Sequence, residues 1–145
     1  MSNESKNIEA PLAIVTGAAR GIGAAIAQRL SSAGYAVAIW DFNGDGAAAT
    51  AAELTASGRR AVSAQVDVAD ESQVKAATQA AEAAFGPPCL LVNNAGTSGP
   101  DGPIHELDPA TLKRILEVNV EGVATMLRAV IPGMRERNRG HIVNI

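Results

Sequence analysis

Short apolar runs punctuate the chain: Leu12–Val15, Ala36–Trp40, Ala61–Val66 and Cys89–Val92, with a fifth opening at His141–Ile145. Each is long enough for a buried strand and too short for a helix. Between them lie stretches of helix formers: Ala24–Leu30, the Ala-rich Asp45–Ser57, and a segment from Asp70 through Phe85. Asp70-Glu71-Ser72-Gln73 is a capping-box pattern, with Gln three positions after the cap. Glycine and proline close these segments, at Ser32-Ala33-Gly34, Gly58 and Gly86-Pro87-Pro88. Thr97–Leu107 mixes proline with glycine and reads as a loop. Asp108-Pro109 then pairs an N-cap with proline at the first helical position, opening a helix to about Arg137. Leu112, Ile115, Leu116, Asn119, Val123, Met126, Leu127 and Val130 share one broad face of it, and Pro132 is expected to end or kink it. Asn138-Arg139-Gly140 is a stop before the fifth strand.

Strands apolar on both faces, alternating strictly with helices, predict an α/β fold with a parallel sheet and right-handed crossovers. The expected order is doubly wound and Rossmann-like, with β2 beside β1 and β1 beside β4. Ligands of such sheets sit at the carboxyl ends of the strands. Thr16–Gly17, Asp41, Asp67 and Asn93 all fall there.

The first of these ends carries the strongest chemistry. Leu12 to Gly23 reads LAIVTGAARGIG, a strand, a glycine turn and a helix start. Unpaired N–H groups in a first helical turn, with the positive end of the helix dipole, attract an anion such as a diphosphate. Asp41 lies eighteen positions after Gly23. A carboxylate there accepts from both ribose hydroxyls of an adenosine and repels a 2′-phosphate, favouring NAD over NADP. The alternative is a solvated strand-end Asp or an Asx-turn over Asn43-Gly44. Asp67-Val68 closes the third strand, either to accept from an adenine amino group with Val68 lining the ring, or as an Asp on the approach to the cap at Asp70. Asn93-Asn94-Ala95-Gly96 ends the fourth strand, where two adjacent amides require partners. Asn119 interrupts an apolar helix face, against propensity.

Composition changes the picture little. The chain has 145 residues, 47% hydrophobic and 19% charged, as an ordinary globular domain does. Aromatics are 3%, so Ala, Val, Ile and Leu must build the core. A net charge of −3 argues against nucleic acid or anionic membrane as partner. No run spans a membrane. The single Cys89 reads as a buried thiol, and no metal site is expected. Residues 1–10 are polar, without the apolar core of a signal peptide, and read as a disordered lead-in. The expected location is cytoplasmic.

TGAARGIG, Asp41, Asp67-Val68, the NNAG of Asn93–Gly96, Asn119 and the closing HIVNI together resemble the short-chain dehydrogenases/reductases, from Pro11 onward. The resemblance implies that Gly17, Arg20, Gly21, Ile22 and Gly23 hold a diphosphate and that Asp41 takes the adenosine ribose. It implies further that Asp67 and Val68 take the adenine, and that Asn93, Ala95 and Gly96 support the middle of the cofactor. Asn119 corresponds to an active-site Asn that holds a water in a proton relay. Such an enzyme moves hydride between NAD, or less favourably NADP, and a small secondary alcohol or ketone, for example a 3-oxoacyl or polyol substrate. It also implies a homo-oligomer, dimer or tetramer, at full length.

The family's general acid is a Tyr in a Tyr-x-x-x-Lys pattern, accompanied by a Ser. None is found: the only tyrosine, Tyr35, is followed four positions on by Ile39 and enters its strand from the opposite edge. His105, in a loop, and His141, at the wrong end of a strand, do not substitute. The expectation is therefore a cofactor-binding domain over residues 11–145, truncated before its remaining strands and inactive alone. The alternative is a non-catalytic NAD(H)-binding or partner-binding module.

Overall fold

The structure, a computed structural model, describes residues 10–145. The lead-in expected over residues 1–10 lies outside the described residues, apart from a half-buried Ala10. The elements run β1 (Leu12–Thr16), α1 (Gly21–Ser32), β2 (Ala36–Asp41), α2 (Gly44–Ala56), β3 (Ala61–Gln65), α3 (Glu71–Phe85), β4 (Pro88–Asn93), α4 (Pro109–Leu116), α5 (Gly122–Glu136) and β5 (His141–Asn144). All strand pairs are parallel, in the order β3-β2-β1-β4-β5, so the sheet is doubly wound as its alternation predicts. The chain builds outward from β1 to β3, then crosses back to place β4 on the other side of β1. That reversal opens a crevice at the carboxyl ends of β1 and β4.

Two apolar layers hold the sheet. On one face Leu12, Ile14, Trp40 and Leu91 meet Val74 of α3 and Met126 and Val130 of α5. On the other, Val15, Val37 and Ile39 meet Ala27 of α1 and Ala47 and Leu54 of α2. Burying one such aliphatic side chain contributes about 1.5–3 kcal/mol. The small alanines let α1 and α2 lie close to the strands, while the bulk sits opposite. Trp40, at 1% exposure, is the largest fully buried side chain, an addition to the aliphatic core expected. Among the described residues no helix is long and apolar enough to cross a membrane.

Two details depart from expectation. Pro132 does not end the long helix, which continues to Glu136. Met134, beyond it, is 6% exposed, and its burial favours continuing the turn. Arg128, whose carbonyl loses the proline's missing donor, is exposed to water. The irregularity lies instead at Glu117–Glu121, a π turn in which the Gly122 N–H donates to the Glu117 carbonyl. The broad apolar face also divides: Met126 and Val130 are buried, whereas Leu112 and Leu116 are exposed, and Val118, outside that face, is buried as well.

Candidate functional site

The carboxyl edge of the sheet is assembled first by backbone approach. Gly17 has φ +64°, and a Cβ there would lie 2.8 Å from the Cα of Ala95. A Cβ on Gly23 would collide with the Gly17 carbonyl oxygen and lie 2.6 Å from Asn94 Nδ2. These two glycines are therefore required by the protein's own packing, and the turn after β1 rests directly on the NNAG segment. Gly21 differs: its φ is +56°, and nothing lies within 4 Å of the Cβ position. Its αL conformation faces open space.

Polar bonds lock the same contact. The Thr16 hydroxyl accepts from the N–H groups of Asn94 (3.1 Å) and Ala95 (3.0 Å). Asn94 Nδ2 donates to the carbonyls of Thr16 (3.1 Å) and Gly17 (3.0 Å). Neither Thr16 nor Asn94 was assigned a role by its motif, although the demand of adjacent amides for partners was the available signal. Asn93 is 4% exposed, and its Nδ2 donates to Asn144 Oδ1 at 2.9 Å. Its own Oδ1 has no partner, a buried acceptor at the ligand edge.

α1 begins at Gly21 without a side-chain cap, since the Arg20 side chain at the N-cap makes no bond to the first turn, which holds no acidic residue. By contrast Asn43, Asp70 and Asp108 cap α2, α3 and α4. The donors of the first turn of α1, with Arg20 and the exposed Ile22 beside them, are left for an anion.

Asp41 ends β2 and both of its oxygens are engaged: Oδ2 accepts from the Ala19 N–H at 3.0 Å and Oδ1 from the Asn43 N–H at 2.8 Å. The Asn43 bond closes an Asx-turn over Phe42-Asn43, one residue earlier than the alternative expected, and the same carboxylate braces the glycine turn. Ionised carboxylate oxygens accept about two bonds each, so acceptor capacity remains for hydroxyls.

Asp67 lies past β3 at the mouth of a cleft of about 290 Å³, bounded by Phe42, Asp67, Val68, Gly96, Arg114 and Val118. Its Oδ1 accepts from the Ala69 N–H at 3.0 Å, and its Oδ2 accepts from Arg114 Nη2 at 2.7 Å. No sequence signal marks Arg114, which lies 47 positions away. The Gln73 N–H donates to Asp70 Oδ1 at 3.1 Å, as a capping box requires, but Gln73 Oε1 accepts from the Asp67 N–H at 2.9 Å and not from that of the cap. The many bonds from Ser72 and Gln73 hold the Asp70 carboxyl below its ordinary value. Val68 is 6% exposed, and a Cβ on Gly122 would lie 2.6 Å from it, so the π turn presses on the cleft floor.

Asn119 sits in that π turn with its side chain fully paired. Its Oδ1 accepts from the Thr97 N–H at 2.8 Å, and its Nδ2 donates to the Thr97 carbonyl at 2.9 Å. The amide thus clasps the strand-like backbone that follows Gly96. His105 is exposed beside Glu106, and Cys89 is partly buried, its thiol pushed up by burial against the opposing pull of Arg139 and Arg137. Neither joins this edge.

Comparison with known proteins agrees with this geometry. Residues 11–145 match the family model described as short chain dehydrogenase. The chain is 40% identical over 133 residues to 2-dehydro-3-deoxy-L-rhamnonate dehydrogenase (NAD(+)) of Sphingomonas sp. (strain SKA58), covering 92% of this chain and 52% of that enzyme. It is 42% identical over 134 residues to cis-4-hydroxycyclohexanecarboxylate dehydrogenase of Sinomonas cyclohexanicum, covering 92% of this chain and 53% of that enzyme. A crystal structure of a metagenomic short-chain oxidoreductase in complex with NADP superposes with a TM-score of 0.86 at 38% identity, over 92% of this chain and 61% of that one. The chain spans about half the length of the curated relatives it matches.

Proposed function

The chain belongs to the short chain dehydrogenase family, and on that premise we propose that it forms the NAD-binding part of an oxidoreductase acting on a secondary alcohol or ketone. The observation that carries this reading is the uncapped N-terminus of α1 over an open Gly21, beside two strand-end carboxylates and the orphaned Asn93 acceptor. These residues fit a dinucleotide. The N–H groups of the first turn of α1, with Arg20, hold the diphosphate; Asp41 accepts from the adenosine ribose; Asp67 and Val68 flank the adenine; and Asn93, Ala95 and Gly96 support the middle. NAD, when bound, supplies or takes up the hydride. Its preference over NADP rests on Asp41, whose charge opposes a 2′-phosphate.

Asn119 takes a different part from a side-chain water ligand. Its amide fixes Thr97, and the water of a proton relay is assigned instead to main-chain groups of the π turn around it, a geometry frequent at functional sites. The chain's own residues do not protonate the substrate oxygen. Tyr35 precedes β2 at the amino edge of the sheet, away from the glycine turn. The part that these residues play is cofactor binding. The same cofactor-binding edge suits a second reading, an NAD(H)-binding or partner-binding module without catalysis. Fluorescence titration of this chain with NADH and NADPH tests the first claim. Saturable binding that prefers NADH supports it, and no binding by a folded sample overturns it. Hydride transfer by a form carrying a Tyr-x-x-x-Lys segment after Ile145 separates enzyme from module.

A further inference from the structure

We infer that Arg114 is a positioning residue that makes the cleft at the end of β3 select a 6-aminopurine over a 6-oxopurine. This rests on the nucleotide reading above and extends it to which base the site accepts. Two bonds at right places hold the Asp67 carboxylate: Ala69 N–H on Oδ1 at 3.0 Å and Arg114 Nη2 on Oδ2 at 2.7 Å. One bond alone leaves a carboxylate free to rotate about its Cβ–Cγ axis; two, from different elements, fix its plane. Arg114 is itself steadied by Glu117, whose Oε2 lies 3.6 Å from Nη1, and Glu117 also faces Lys113 at 3.7 Å. Arg114 is half-exposed, with 42% of its side chain accessible, so its contact with Asp67 lies at the rim of the cleft and outside the core.

The walls of the cleft suit a flat ring. Phe42 is 67% exposed on one side, while Val68 and Val118 are 6% and 9% exposed beneath. Among these apolar surfaces the fixed carboxylate offers lone pairs and no donor. A 6-amino group donates to it. The carbonyl of a 6-oxopurine presents lone pairs to lone pairs and is rejected, as a site built for one donor rejects the analogue lacking it. A Lys at 114 keeps the charge but not the planar fork, and so restores the selection only in part.

The experiment compares NADH with its hypoxanthine analogue, deamino-NADH, by fluorescence titration of the chain and its Arg114→Met and Arg114→Lys variants, with thermal unfolding alongside. The wild type is expected to bind NADH about tenfold more tightly than the analogue. Arg114→Met should bring that ratio to within about threefold, with Arg114→Lys between the two. A merely structural role moves the unfolding midpoint and weakens both dinucleotides equally; that result, or an unchanged ratio in both variants, overturns the inference. Tight NADH binding by the wild type without base preference also overturns it while leaving the cofactor reading intact. Failure of the wild type to bind either dinucleotide refutes the cofactor reading itself, and the inference with it.

Discussion

Two helices begin on the same edge of the sheet and are finished in opposite ways. α3 starts under a dense set of its own bonds: Asp70 Oδ1 accepts from the N–H groups of Ser72 (2.9 Å) and Gln73 (3.1 Å), and Gln73 Nε2 donates to Oδ2 at 3.0 Å. α1 starts with an extended Arg20 at φ −160°, no side-chain cap and a glycine in the αL region. Both helices have the same orphan donors and the same dipole. The difference teaches which end is closed by the protein and which is reserved. An end capped by its own side chain has fewer donors left for an anion, and a carboxylate already in the anion's place. The other is held in place by everything around it: Asn94 and Asp41 bond the backbone of the turn, the Thr16 hydroxyl fastens the segment on which it rests, and its open side is left clear.

The strongest way to break this contrast is Gly17→Ala. It adds αL strand strain to a clash with Ala95, and should destabilise the fold by about 2–4 kcal/mol in urea unfolding. Gly21→Ala, with open space at its Cβ, should lose only about 1 kcal/mol. Equal losses would mean that the turn is not braced as described. Arg20→Asp should convert the α1 end into one like that of α3. Urea unfolding should then show a gain of about 1 kcal/mol, while titration should show NADH affinity falling by about a hundredfold. Retained affinity would remove the anion from this helix end.

Thr16→Val keeps the shape of the side chain and deprives two N–H groups of their acceptor, for an expected loss of about 2 kcal/mol by the same unfolding assay. A smaller change is expected for Asp41→Asn, which lifts the charge repulsion on a 2′-phosphate. The ratio of NADPH to NADH affinity should rise about tenfold, and an unmoved ratio would locate cofactor choice elsewhere. The smallest effect is acidic. The folded Asp70 carboxyl titrates below its ordinary value of 3.8, so its contribution is whole above that pH and is lost as pH falls through the lower folded value. Unfolding measured across that window should show less acid sensitivity in Asp70→Asn than in the wild type.

Much of the fold was legible along the chain, because strand and helix are short-range properties. The apolar runs located all five strands to within a residue or two, and the caps at Asp70 and Asp108 bound the N–H groups their spacing implies. The crevice followed from parallel alternation. Of the two outcomes expected at Pro132, the helix end did not occur, for a physical reason: the proline's penalty is local, and the burial of Met134 that outweighs it is visible only once α5 lies on the sheet. Asn119 stood out as a polar residue on an apolar face, yet its partner, the Thr97 backbone, lies 22 positions away across a loop.

By itself the sequence determined the alternating architecture, the placing of polar landmarks on one sheet edge, and a glycine turn shaped for an anion. Each depends on periodicity or on backbone freedom, which act over a few neighbouring residues. Only the tertiary structure decided why Gly17 and Gly23 must lack a side chain, that Asn94 fastens the turn, and that Arg114 holds Asp67. Apart from the Gly23 contact with the Gly17 carbonyl, these join segments 47 to 78 positions apart. Nothing local in either partner specifies such a contact. It exists because the sheet brings the ends of β1, β3 and β4 together with α4, where a free donor and a free acceptor must find each other or remain unpaired.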